Sequence, residues 1–241
     1  TVKGSLIRKD TGETVVDEYG NAVTAEKTFT AETADGEIEL EFDVDSEGLE
    51  GTTIVVFEDL YYGDLLVASH ADIEDEAQSV HYPSMATTAT VDGKKKVKAE
   101  GMVTVKDVVS YKNLIPGQEY ILKGVLMDKD TGKKLKVSGK EVTSEVTFTP
   151  KTASGNVEVT FKFDASKCDG KTLVVFETLC VGEAEILYHN DIDDEEQTVL
   201  IGETPGTPKT GDITRNILLG AGLAALGAGL FILIRRRRKK T

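Results

Sequence analysis

The chain has 241 residues, with 28 Lys and Arg against 42 Asp and Glu, and a net charge of −14. Residues 211–241 carry seven of the basic residues and one Asp, so residues 1–210 hold 21 basic against 41 acidic residues, a net of −20. That balance argues against nucleic acid, which needs a basic face; it fits an extracellular stalk that resists self-association and equally a plainly solvated acidic surface.

In chain order, the first signal is a repeat. Ile54–Leu60 (IVVFEDL) returns as Leu173–Leu179 (LVVFETL), and His70–Gln78 (HADIEDEAQ) returns as His189–Gln197 (HNDIDDEEQ). Most of the chain is therefore two copies of one module. Four polar residues keep their register: Glu58 with Glu177, His70 with His189, Asp75 with Asp194 and Gln78 with Gln197. An apolar pattern alone would maintain a fold, so these identities ask for another reason. Thr1–Leu6 aligns with Ile121–Leu126. The first copy, residues 1–80, is thus expected to enter midway, as part of a longer protein, without a counterpart of residues 84–120. Residues 81–85 read as a linker and 86–201 as the complete second module.

Within that module the runs Gly101–Lys106, Tyr120–Leu126, Val157–Phe163 and Thr172–Glu177 are short and β-branched. Turn residues punctuate them at Asp92-Gly93, Pro116-Gly117, Asp130–Gly132, Ser154-Gly155 and Asp169-Gly170. The expected fold class is all-β: tandem immunoglobulin-like β-sandwich modules, the first truncated, followed by a transmembrane helix. Cys168 falls in a turn and Cys180 ends the next strand. An extended strand would hold them more than ~7 Å apart, so a disulfide is not expected.

Residues 202–211 are a Pro/Gly/Thr-rich linker. Residues 212–241 hold an uncharged run, Ile217 to Ile234, and then six cations, Arg235 to Lys240. Eighteen helical residues at ~1.5 Å each nearly cross a ~30 Å hydrocarbon core, and the cations would stay on the cytoplasmic side. Just before this run stand Thr207, Pro208, Lys209, Thr210 and Gly211. The order of motif, apolar run and basic tail resembles the cell-wall sorting signal of Gram-positive surface proteins. The resemblance implies transient single-pass anchoring, cleavage after Thr210 by a sortase and attachment to peptidoglycan. The usual first residue is Leu; here it is Thr207, so the motif does not select a sortase class. A simple tail anchor is the plainer reading.

Alternation in Val103–Val109 puts Asp107 on a face with Val103, Val105 and Val109. Glu177 shares a face with Leu173 and Val175, while Val174 and Phe176 occupy the other, the pattern of a central strand. Burial would favour the protonated form of such carboxyls, and two brought together could share one proton. Gln197 opens the last strand and Thr87 lies in the first. First and last strands of sandwiches often lie side by side, so a Thr hydroxyl could face a Gln carboxamide across the ladder. On these residues alone that is an ordinary hydrogen-bonded pair.

Val-Val-Phe-Glu, a later His with Asp and Gln following, Lys106–Tyr111 (KDVVSY) and the opening Thr87-Thr88 together look like the Thr–Gln ester-bond domains of Gram-positive adhesins, also described as VaFE repeats. The resemblance covers residues 86–201 and part of 1–80. It implies that Thr87 attacks the Gln197 side chain, ammonia leaves and an ester remains. Asp107 and Glu177 would be the acidic pair that polarises the carboxamide and moves protons, His189 would assist and Asp194 would orient. Thr88 is the competing nucleophile, with its side chain expected to face away. The first-module counterparts are Glu58, His70, Asp75 and Gln78. No cofactor or metal is implied, and a host ligand would be bound by domains upstream.

The resulting expectation is a non-enzymatic structural stalk of a wall-anchored adhesin. Its rivals are a pilin-like module with a Lys–Asn isopeptide bond, a calcium site in the acidic loops 70–78 and 189–197, and a hydrolase built on Thr87, His189 and Asp194. The loops lack the EF-hand spacing, and no nucleophile-elbow motif is present.

Overall fold

A computed structural model describes residues 1–202. The expected transmembrane run 217–234 and the sorting motif Thr207–Gly211 lie outside the described residues. Among those described, no helix is long and apolar enough to cross a membrane.

The described chain is all-β and falls into two compact units, one of Thr1–Ser84 with Lys112–Ile115 and one made of the rest. The first unit contains β1 (Val2–Arg8), β2 (Thr24–Lys27), β3 (Thr52–Tyr62), β4 (Leu65–His70) and β5 (Ser79–Tyr82). These form one sheet in the order β2-β1-β3-β4, with β5 also paired to β3. Only Pro83 separates β5 from β6 (Ser84–Val91).

The second unit is a sandwich. Its strands continue as β7 (Lys96–Val97), β8 (Met102–Lys112), β9 (Tyr120–Asp128), β10 (Lys133–Lys134), β11 (Lys136–Val137), β12 (Lys140–Glu141), β13 (Thr143–Phe148), β14 (Gly155–Asp164), β15 (Lys171–Val181), β16 (Ala184–His189) and β17 (Thr198–Ile201). The large sheet runs β10-β9-β15-β17-β7, with β13 on β9 and β16 on β15; the small sheet runs β14-β8-β6.

The alternation read from Val103–Val109 is the observed one. Val103, Val105, Asp107, Val109 and Tyr111 are buried on β8, while Lys106, Val108 and Ser110 between them are exposed. β15 has neighbours on both sides, β9 on one and β16 with β17 on the other. Leu173, Val174, Val175, Glu177 and Leu179 are accordingly all buried, as expected of a central strand. Phe161 on β14 and Leu122 and Leu126 on β9 complete the interior between the sheets. The Asp92-Gly93 turn closes the return from β6. Both residues have positive φ (46° and 73°), and Val91 and Lys94 bridge directly, so this is the two-residue loop that Asp-Gly favours. Cys168 and Cys180 are free and buried.

Among the described residues, the first unit preserves the same local packing without a second sheet. A Cβ on Gly4 would meet the ring of Phe42 at 2.5 Å, as one on Gly124 would meet the ring of Phe161 at 2.5 Å. The segment holding Phe42 crosses β1 much as β14 crosses β9, yet it forms no strand. β14 is a strand because β8 supplies its ladder; among the described residues of the first unit nothing plays that part.

Candidate cross-linking site

Four polar side chains meet inside the second unit, two from each sheet. β6 and β8, neighbours in the small sheet, present Thr87 (6% exposed) and Asp107 (0%) inward. The large sheet presents Glu177 from β15 and Gln197 from the residue just before β17, both 0% exposed. The Val175 amide donates to Gln197 O at 3.1 Å, which fixes Gln197 beside β15. Thr88, the alternative nucleophile, is exposed on the outer face of β6.

The expected ladder pairing of the first and last strands is not what the structure has. β6 belongs to the small sheet and β17 to the large one. Thr87 therefore meets Gln197 across the sandwich, and one backbone bond, from Ala89 N to Glu196 O at 2.8 Å, ties the two segments. The reason lies in β7: it occupies the edge of β17, in parallel register, where β6 would otherwise pair.

One end of the Gln197 carboxamide lies 2.6 Å from Val175 O, 3.3 Å from Glu177 Oε2 and 3.2 Å from Thr87 Oγ1. Hydrogen-bond complementarity makes that end the nitrogen, since a carbonyl beside Val175 O would set two acceptors together. The other end lies directly against Thr87 Oγ1. The reactive pair is thus in contact.

The carboxyls are placed to share a proton. Taken as two carboxylates, Asp107 Oδ1 and Oδ2 and Glu177 Oε1 would be buried with no donor, an expensive arrangement. A proton on Glu177, donated toward Asp107, supplies the donor. Burial and then the facing Asp107 push Glu177 from 4.5 up to about 11. Burial also raises Asp107, while the Glu177 hydrogen bond, His189, the Thr88 backbone N–H and Lys95 pull it back. Glu177 is therefore the protonated partner near neutrality, and its proton is the one that the two carboxyls are placed to share.

His189 pairs across the ladder with Glu177, and its Nε2 lies 2.8 Å from Asp194 Oδ2. Burial raises Asp194, but the His189 bond and the Glu196 and Gln197 amides more than offset it, so its carboxyl is held below the ordinary value. Asp194 also braces the turn that delivers Gln197. Its Oδ1 accepts from Glu196 N at 2.7 Å, and its carbonyl accepts from Thr198 Oγ1 at 2.6 Å.

The first unit repeats this brace. His70 Nε2 is 2.8 Å from Asp75 Oδ2, Ala77 N donates to Asp75 Oδ1 at 2.8 Å, and Glu58 pairs with His70. Glu58 and Gln78 are nevertheless only half-buried, because no described strand covers them. The counterparts of Thr87 and Asp107 are not among the described residues of this unit.

Sequence reasoning missed Gly124. It stands opposite Glu177 in the ladder, as Gly4 stands opposite Glu58. The signal was available: Lys-Gly recurs at residues 3–4 and 123–124.

The family model described as the T-Q ester bond containing domain matches residues 1–82 and again residues 83–201. The chain belongs to this family. Both units are thus T-Q domains. A second family model, the LPXTG cell wall anchor motif, matches residues 208–241, which places the protein at the cell wall or cell surface. No curated protein matches the chain. Among solved structures, it is similar to a bacterial adhesin from Mobiluncus mulieris that contains intramolecular disulfide, isopeptide and ester bond cross-links. In one space group the identity is 19% and the TM-score 0.42; in the other they are 20% and 0.41. Each likeness covers 48% of this chain and 56% of that one.

Proposed function

We propose that the second T-Q domain joins Thr87 to Gln197 through an ester formed by the chain on itself, once, and that the protein is a structural stalk of a wall-anchored adhesin. The observation that supports this reading is the contact of Thr87 Oγ1 with the Gln197 carboxamide beside the buried carboxyls of Asp107 and Glu177.

Asp107, inward-facing on the strand next to Thr87, takes the hydroxyl proton as Oγ1 attacks Cδ of Gln197. The Cδ–N bond then breaks. The departing nitrogen collects a proton from the acidic pair through Glu177 Oε2 and leaves as ammonia. The pair ends with the single proton it began with, and the new Oγ1–Cδ ester replaces the amide bond. His189 and Asp194 hold the turn and steady the charge. Positioning supplies much of the rate, and burial of all four groups keeps water from the ester.

Such a link carries tension from one sheet to the other without shearing ladders, which suits a stalk held in peptidoglycan by sortase at Thr210. Intact mass tests the reading: the full chain should be lighter by one ammonia, and Thr87→Ala should restore the full mass. A wild-type chain at full mass sinks the proposal. After unfolding, hydroxylamine cleaves an ester and spares a Lys–Asn amide, which separates the two cross-links.

A further inference from the structure

We infer that Lys95 is a positioning residue for ester formation, clamping the segment that carries Gln197 against the strand that carries Thr87. This inference rests on the Thr87–Gln197 reading.

Lys95 lies just beyond the Asp92-Gly93 turn, between β6 and β7. Its Nζ donates to Glu196 O at 2.6 Å and reaches Glu195 O at 3.4 Å. Glu196 O is the same carbonyl that receives Ala89 N from β6. One oxygen, adjacent in sequence to Gln197, thus gathers the Thr87 strand and the lysine. The lysine's own carbonyl accepts Leu200 N at 2.8 Å, so Lys95 is fastened to β17 by its backbone while its side chain reaches back over the turn. A charged donor at a carbonyl makes a stronger bond than a neutral one. The Glu196 carboxylate, at 3.7 Å, adds an exposed pair of little weight.

The second contribution is electrostatic. The groups that act on Asp107 are Glu177 from β15, His189 from β16, the Thr88 backbone N–H of β6 and Lys95 from the β6–β7 segment, with Asp194 behind His189. Lys95 is the one permanently charged cation among them. Its charge works against the rise that burial imposes on Asp107 and so favours the form that can accept the proton of Thr87.

The test follows ester formation in the full chain by timed synthesis in a cell-free system, quenched in denaturant, with linked and unlinked species resolved by mass. Lys95→Met should form the bond at least ~5-fold more slowly at neutral pH, and the acid limb of its pH–rate profile should move to higher pH. Lys95→Arg should stay within ~2-fold of wild type, because it keeps the charge. Glu196→Ala, which keeps the carbonyl, should leave the rate unchanged. Melting of Thr87→Ala with and without Lys95→Met checks that the fold survives. A Lys95→Met chain that links at the wild-type rate at every pH overturns the inference. So does slowing with an unmoved acid limb that Arg does not restore, since that would be packing alone. A wild-type chain that never loses ammonia instead removes the ester reading itself.

Discussion

Gly124 stands directly across the ladder from Glu177, and the ring of Phe161 fills the space where a Cβ would be. Opposed residues in a ladder point to the same face, so the ring is set beside the Glu177 side chain. This one missing methyl lets an aromatic wall desolvate the acid. Gly124→Ala should cost about 1–3 kcal/mol through overpacking and should reduce the fraction of chain that loses ammonia. Adding Phe161→Leu should recover part of the loss. Melting and intact mass on the two variants check both effects. A Gly124→Ala chain with wild-type melting and full linkage would refute this account.

The ester should dominate the stability of the second unit. It encloses a loop of more than a hundred residues, worth about 4–5 kcal/mol if it acts as a disulfide of that length does. Thr87→Ala should therefore lower the melting temperature by roughly 10–20 °C. Thr88→Ala, changed on the exposed face, should link fully and melt as wild type. Calorimetry paired with mass spectrometry reads both.

Glu177 gives the unlinked domain a pH signature. Its carboxyl is raised from 4.5 to about 11 in the folded state, so between those values the folded chain holds a proton that the unfolded chain has released. Stability from this group is complete below about pH 4.5 and falls as pH rises toward 11. In a Thr87→Ala background, adding Glu177→Gln should stabilise more at pH 9 than at pH 5, since Gln has no charge to bury. Equal effects at the two pH values would contradict a protonated Glu177. In the Thr87-containing chain, Glu177→Gln and Asp107→Asn should each abolish the link.

The first unit should stay unlinked in this chain. Glu58 and Gln78 are half-buried, and the brace of His70 and Asp75 has no described Thr or Asp facing it. Gln78→Ala should leave the ammonia count at one, and peptide mapping should find Gln78 unmodified. A second ammonia lost from the chain would show otherwise.

Much of this site was legible from residues alone because alternation is a strict rule. Asp107 among valines and Glu177 on a two-sided apolar strand could only be interior. The His-Asp-Gln spacing recurs in both copies, so its local turn could be read twice. What escaped was long-range. Nothing in the sequence of β6 or β17 says which sheet each joins, and β7, two residues long, decides it by taking the edge of β17. Gly124 escaped for a related reason: its role is set by Phe161, on a strand that pairs with neither Gly124 nor Glu177.

The division of the site between two sheets makes the bond a witness to folding. Glu177, His189, Asp194 and Gln197 take their places on the large sheet, and the first unit keeps the same four in register with no covering sheet among the described residues. Thr87 and Asp107 arrive only when the small sheet closes over them. Oγ1 can find Cδ only in a module whose two halves have docked in register. A module that slips by one residue turns Thr87 outward and puts Thr88 in its place beside the wrong neighbours. Linkage would then be withheld from misassembled copies, leaving them open to proteases while correctly closed ones are sealed.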